Sequence, residues 1–254
     1  MISTFERIEK KYLLNPEQHA GMLRALKGRM HADEYGLSTL LSLYLDTDDD
    51  LLIRRSIEKP KYKEKVRLRS YGVPRDGDRV FLELKKKSQG VVYKRRIALT
   101  AGEAMAYLLS GQPPSERGQI FRELDYAVKR YSLKPALVLA YDRVAYAEDA
   151  PSPNALRITM DQAVRSRVSD LDLRLGGEGE ELLPPGMRLM EIKIAQSMPL
   201  WLCRALSEYQ VYPTSFSKYG RAYALRRMAA PRPLAAAREA AQTKGGFRHA
   251  FSPV

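Results

Sequence analysis

"KYKEKVRLRS", Lys61 to Ser70, places a basic residue at every second position: Lys61, Lys63, Lys65, Arg67 and Arg69. A period of two is the mark of a β-strand, and here one whole face of that strand is cationic. Same-face neighbours on a strand lie about 7 Å apart, and at an effective dielectric of about 20 each pair repels by roughly 2 kcal/mol. An ordinary wet face mixes Thr, Ser, Gln, Glu and Lys. A face that is cationic throughout is destabilising unless an anion lies against it.

The design recurs along the chain. "FLELKKK" sets Glu83, Lys85 and Lys87 against Leu82 and Leu84, and "VYKRRI" sets Lys94 and Arg96 against Tyr93, Arg95 and Ile97. "FERIEKKY" sets Arg7, Glu9 and Lys11 against Ile8, and "LRITMD" sets Arg157, Thr159 and Asp161 against Ile158 and Met160. "LMEIKI" sets Glu191 and Lys193 against Met190, Ile192 and Ile194. Each strand has an apolar face that must be buried and an opposite face dominated by Lys and Arg. About eight such strands, curled with their charges inward and covered outside by helices, would enclose a lumen for a linear polyanion. Carboxylates on the charged parity, Glu9, Glu83, Asp161 and Glu191, are then candidate oxygen ligands for Mg²⁺ or Mn²⁺ bridging phosphate oxygens.

Composition agrees. The 254 residues carry 43 Lys+Arg against 30 Asp+Glu, a formal charge of +13, which attracts nucleic acid, anionic lipid or phosphate chains. The single cysteine, Cys203, excludes an internal disulfide. The charged start "MISTFERIEKKYLL" does not read as a signal peptide, and no stretch approaches the roughly 18 apolar residues of a membrane span. The expectation is a cytoplasmic protein.

Asn15 and Pro16 predict a capped helix over 18–26, and 41–47 alternates as a strand with Ser42, Tyr44 and Asp46 on its polar side. "DTDDDLLIRRSIEK" suits a short helix, and 62–72, 80–87 and 91–99 form an antiparallel meander. Helices are expected over 100–110 and 116–133, then strands at "PALVLAYDRVAY", "ALRITMDQAV" and "RLMEIKIA", then closing helices over 198–209 and 214–228. The fold class is α+β: an antiparallel eight-stranded tunnel with outer helices over 1–228, followed by an Ala/Pro/Arg-rich tail, 229–254, expected to be flexible. His19, His31 and His249 fit no metal or triad spacing and read as surface residues, while Cys203 beside Trp201 reads as core. "GGEGEE" lacks the ending of a P-loop, and "DTDDD" reads as a capped helix start and not as a calcium loop.

The ordered set "RIEKKYLL", "SLYLDT", "KVRLRSYG", "VFLELKKK", "VYKRR", "YDRVAY", "LRITMD", "MEIKI" and "SFSKYGRAY" resembles the VTC (vacuolar transporter chaperone) domain, a polyphosphate polymerase branch of the triphosphate tunnel metalloenzymes. The resemblance covers roughly residues 5–228. It implies a tunnel that binds ATP and polyphosphate, uses a divalent metal, usually Mn²⁺, and transfers the γ-phosphoryl group of ATP to a growing chain. It further implies that Lys11, Arg67, Arg69, Lys85 and Lys218 serve catalysis, that Lys94, Arg96, Arg143 and Arg157 line the tunnel, and that Glu191 holds the metal; the alternation adds Lys65 and Lys193 to the substrate-binding wall. Two positions depart from the pattern: Arg7 stands where the wider superfamily has a first acid, and Ser215 where a second lysine often precedes "FSK".

Three rivals stay open: a triphosphate hydrolase on the same fold, a nucleic-acid binder, and a non-catalytic polyphosphate sensor. Single-strand binders interleave aromatics with basic residues, whereas Tyr62 and Tyr93 lie on the parity opposite Lys61, Lys63 and Lys94, so no nucleic-acid partner is expected. With no membrane segment in sight, the resemblance implies either a cytoplasmic product or a separate membrane partner.

Overall fold

The computed structural model describes residues 8–58, 60–89, 91–148, 156–195 and 197–229; Arg7, His249 and the tail from 230 onward lie outside them. In chain order the elements are β1 (Ile8–Leu14), α1 (Pro16–Leu26), β2 (His31–Ala32), β3 (Ser38–Asp46), α2 (Leu51–Ile57), β4 (Tyr62–Tyr71), β5 (Arg79–Ser88) and β6 (Val91–Thr100). There follow α3 (Ala101–Ser110), α4 (Gln119–Tyr131), β7 (Lys134–Ala147), β8 (Arg157–Arg167), β9 (Glu180–Glu181), β10 (Arg188–Ile194), α5 (Leu200–Glu208), β11 (Pro213–Thr214) and α6 (Lys218–Ala229). β2, β9 and β11 are two-residue pairings; the other eight strands are the eight that the alternation predicts.

One antiparallel sheet runs in the order β11-β1-β10-β8-β7-β3-β4-β5-β6. It curls. Burial lowers the titration of Lys65 on β4 and Lys11 on β1 adds to it, although four strands lie between theirs in the sheet. In a flat sheet they would be about 24 Å apart, beyond the reach of screened charges.

The outer faces bury two cores. Leu43 of β3, Val66 and Leu68 of β4, Leu82 and Leu84 of β5 and Ile97 of β6 pack under Met105 of α3 and Phe121 and Leu124 of α4. Tyr12, Ile158, Met160, Met190 and Ile192 pack under Met22 of α1 and Leu202 of α5. A third cluster lies on the inner face: Leu137, Leu139, Tyr141 and Leu189 meet Ile53 of α2 and Tyr219 and Ala222 of α6. The inner face is thus charged in one part and apolar in another, with α6 set against the apolar part.

Local chemistry fixes the element ends. Asn15 and Gln18 form a reciprocal capping box at α1. Asp46, at the end of β3, caps α2 in place of Asp50: its carboxylate accepts from the Leu52 and Ile53 N–H groups at 2.8 and 3.0 Å. The helix expected over 214–228 begins only at Lys218, because Thr214 pairs with Lys11 as β11 and the Ser217 hydroxyl accepts from the Gly220 N–H. His19 is half-buried and its titration is lowered by that burial and by Arg188, so it is no surface residue. Cys203 is only partly buried. Among the described residues no helix is long and apolar enough to cross a membrane.

Candidate active site

Two ion clusters sit on the inner face. The first joins β1, β7, β8, β10 and α6. Asp161 is fully buried and takes both arms of Arg143, at 2.6 and 2.8 Å, together with the Lys218 ammonium at 2.5 Å. Glu191, one strand over, is held more loosely: Lys11 lies at 3.3 Å, Lys218 at 3.5 Å and Arg143 at 3.6 Å. The Tyr141 ring lies beneath both cations, 4.5 Å from the Lys218 nitrogen and 5.1 Å from the Arg143 guanidinium. Burial pushes the Glu191 carboxyl up, but Lys218, Lys11 and Arg143 override it and hold it far below the usual carboxylate range. Burial likewise opposes the charge on Lys218, and Asp161 and Glu191 override it, so this ammonium titrates above its ordinary value.

The second cluster joins β3, β4, β5 and β6. Glu83 accepts from Arg67 at 2.8 Å, pairs with Lys94 at 2.8 Å and lies 3.7 Å from Arg69. Arg67 also donates to the Tyr44 hydroxyl at 3.1 Å, and the Tyr44 ring lies 4.6 Å from that of Tyr219. Burial would raise the Glu83 carboxyl; Arg67 and Lys94 lower it further than burial raises it.

Beside Glu83 the register aligns Lys65, Lys85 and Lys94 directly across three strands, with Lys63 opposite Lys87 in the next row. Among the described residues Lys65 and Lys85 have no carboxylate partner. Burial holds the Lys65 ammonium down to about 8, with Lys63, Lys11 and Lys85 adding to it.

The predicted residues therefore fall into three groups. Lys11, Arg143, Asp161, Glu191 and Lys218 converge, with Glu9 joined to them through Lys11 at 3.5 Å. Arg67, Arg69, Glu83 and Lys94 converge around Glu83, with Lys65 and Lys85 alongside. Arg157 and Lys193 are cross-strand partners at one end, where Arg157 pairs with Asp33 at 3.3 Å and is half exposed. Arg96 lies over the Phe81 ring, 4.8 Å from its centroid. Of the four carboxylates read as candidate metal ligands, Glu9, Asp161 and Glu191 lie in the first cluster, whereas Glu83 sits apart on β5 among its own cations. Among the described residues no three His, Cys, Asp or Glu side chains converge as a metal cage.

Sequence reasoning passed over Tyr44, Asp46, Tyr141 and Tyr219. Tyr44 and Asp46 stand on the charged parity of β3, and Tyr141 opens "YDR", so each carried a signal. Tyr219 hydrogen-bonds Asp46 at 2.9 Å and so ties α6, and with it Lys218, to the start of α2. Thr159, beside Glu191 in the register, is 1% exposed and its hydroxyl has no hydrogen-bond partner among the described residues.

A family model described as VTC domain matches residues 6–226. No curated protein matches the chain. Solved structures give distant likenesses. A candidate adenylate cyclase from Bacillus halodurans is 16% identical, with 83% of this chain and 93% of that one covered and a TM-score of 0.49. A candidate adenylate cyclase from Vibrio parahaemolyticus is 11% identical, with coverages of 85% and 97% and a TM-score of 0.47. A candidate adenylyl cyclase from Hippeastrum, described with a dominant triphosphatase activity, is 16% identical, with coverages of 90% and 98% and a TM-score of 0.46.

Proposed function

We propose, from the premise that the chain belongs to the VTC domain family, that it is a polyphosphate polymerase moving the γ-phosphoryl group of ATP onto a growing polyphosphate chain. The observation that carries this reading is the row Lys65, Lys85 and Lys94 beside Arg67 and Arg69. Like charges directly across a sheet repel, and a ligand whose negative charges repeat along a line converts that repulsion into binding.

In this reading Arg67 and Arg69 grip the triphosphate with paired N–H donors, and Lys65, Lys85, Lys94 and Arg96 track the chain beside them. Arg157 and Lys193 meet the anion at one end. Lys11 and Lys218 steady the acceptor phosphate and the charge on the transferred group, and Arg143 holds Asp161 and Glu191 in place. An oxygen of the acceptor's terminal phosphate forms the new bond to the γ-phosphorus, and the bond from that phosphorus to the bridging oxygen breaks to release ADP. The acceptor oxygen is already anionic, so no protein base is required. This suits an inner face on which Glu83 and Glu191 are held ionised by their cations and are poor bases, which favours a phosphate acceptor over water.

The residues fit a divalent cation bound through one carboxylate. Asp161 is saturated by Arg143 and Lys218, whereas the contacts of Glu191 are loose and the unpartnered Thr159 hydroxyl lies beside it. Such a cation takes one or two carboxylates and completes its shell with water and phosphate oxygens. Glu191 would hold it, with Glu9 the nearest further acid, and Mn²⁺ or Mg²⁺ would supply charge neutralisation to the phosphate oxygens. A cytoplasmic site of action, with a separate membrane partner if the product is exported, belongs to the same reading.

The test is incubation of the protein with ATP and Mn²⁺, with products resolved on a gel stained for polyphosphate and free phosphate assayed in parallel. A metal-dependent ladder that Glu191→Gln abolishes in a folded protein is the expected result. Free phosphate without a ladder would make the chain a triphosphatase, and neither product would make it a binding module.

A further inference from the structure

The cationic ladder of β4 does not end on a cation. After Lys61, Lys63, Lys65, Arg67 and Arg69 the next residue on the same face is Tyr71, and its side chain is 57% exposed. Its ring meets Phe81 edge-on, with centroids 6.0 Å apart at 81°. Phe81 stands opposite Arg69 in the register and carries the Arg96 guanidinium over its ring. The Tyr35 phenol, 69% exposed in the segment before β3, titrates above its ordinary value chiefly because of Glu34, with Tyr71 a minor contributor. One end of the charged wall is therefore aromatic and open, whereas Tyr62 and Tyr93 lie on the opposite parity.

Exposed rings next to a phosphate-binding wall suit one kind of ligand group: a flat, neutral, stackable one attached to a polyanion. We infer that Tyr71, with Tyr35 and Phe81 beside it, is the platform on which the base of the nucleoside triphosphate donor stacks. The inference rests on the triphosphate reading above and gives the donor a direction. Tyr71 lies two residues, about 7 Å, beyond Arg69, the interval a ribose fills between the phosphates and the base. The nucleotide enters by the Tyr71 end with its γ-phosphate leading along Arg69 and Arg67. Because every base has a π face, stacking of this kind accepts ATP, GTP and UTP alike.

The experiment is a calorimetric titration of ATP and of inorganic tripolyphosphate into the wild-type protein and into Tyr71→Ala, Tyr71→Trp and Tyr35→Ala. Tyr71→Ala is expected to weaken ATP binding by about five- to hundredfold, the range found when a stacking aromatic is truncated, with tripolyphosphate unaffected. Tyr71→Trp is expected to restore ATP binding. If Tyr71→Ala does not fold, Tyr35→Ala, at a looser and more exposed position, decides with a smaller loss confined to ATP. Unchanged ATP affinity, or equal losses on both ligands, overturns the platform and leaves the phosphate wall standing. Failure of the wild type to bind either ligand overturns the phosphate wall and the platform together.

Discussion

Replacing Lys65 by Met should give a protein that is more stable when empty and poorer at binding polyphosphate. The side chain keeps its apolar stem and loses a charge that burial opposes, with Lys63, Lys11 and Lys85 adding like-charge repulsion. The ammonium titrates near 8 in the fold against an ordinary 10.5, so the folded state binds this proton less tightly than the unfolded chain does. At neutral pH both states are protonated and the fold bears the full penalty; the penalty fades as pH climbs from about 8 towards 10.5. At 1.36 kcal/mol per pH unit the bound is about 3 kcal/mol, and screening by water and salt brings the realised gain to roughly 1–2 kcal/mol. Urea unfolding at pH 7 and low salt reads the stability, and a polyphosphate titration reads the binding. Calorimetry at pH 8 in two buffers of different ionisation enthalpy should add a third signature: proton uptake by the wild type on binding, reduced in Lys65→Met. A Met variant less stable than wild type, with undiminished polyphosphate affinity, would refute the account of the lysine row.

Arg67→Ala removes a charge-assisted contact worth about 1.5–3 kcal/mol, so tripolyphosphate affinity should fall by roughly 10- to 150-fold. If neither it nor Arg69→Ala changes the affinity measured by calorimetry, the grip lies elsewhere. Tyr219→Phe deletes one hydrogen bond to Asp46, which keeps its N–H donors from α2. A loss of about 1 kcal/mol, or a Tm lower by about 2–4 °C, should be seen in a thermal melt. Asp161→Asn leaves Arg143 and Lys218 buried with only the looser Glu191, and should cost about 3–5 kcal/mol in urea unfolding. Glu191→Gln should cost clearly less than Asp161→Asn, because its contacts are long and Asp161 still holds two of its three cations, Arg143 and Lys218; equal losses would contradict the division between a tightly and a loosely held carboxylate.

The wall was legible because its signal is local. Lys61 to Arg69 alternate within one strand, and no tertiary knowledge is needed to see that one face is cationic. The pairing of strands is not local. That Lys65, Lys85 and Lys94 stand in one row, and that Glu83 falls among Arg67, Lys94 and Arg69, follows from where the turns after β4 and β5 set the register. A carboxylate on the charged parity reads equally well as metal ligand or counter-ion until its neighbours are known. The apolar part of the inner face, Leu13, Leu137, Leu139 and Leu189, drew no reading from alternation, because it gains its meaning only where α6 packs against it. Ala163 hides a further turn of events. Its φ of +44° and the register shift between β7 and β8 bring Val164 into the same inner cluster as Tyr141, which strict alternation from Asp161 would not predict.

Placement of α6 links these parts. A helix packed on the apolar part of the inner face, with its first residue a lysine, carries that charge to the boundary between the apolar and the ionic regions. There Asp161 fixes the ammonium tightly while Glu191 shares it loosely. On the proposed function, an arriving phosphate would draw Lys218 and Lys11 away from Glu191 without disturbing the Asp161–Arg143 pair, so that the rigid contacts hold the scaffold while the loose ones exchange partners. In the same reading Lys65 and Lys85, which have no carboxylate partner among the described residues, would supply attraction, and the loosely held Glu191 would be a carboxylate able to turn to a new partner once the anion has engaged its cations. A wall with all of its charges paired as tightly as Asp161 would be more stable and would bind polyphosphate weakly, because each phosphate would first have to break an ion pair at least as good as the one it forms.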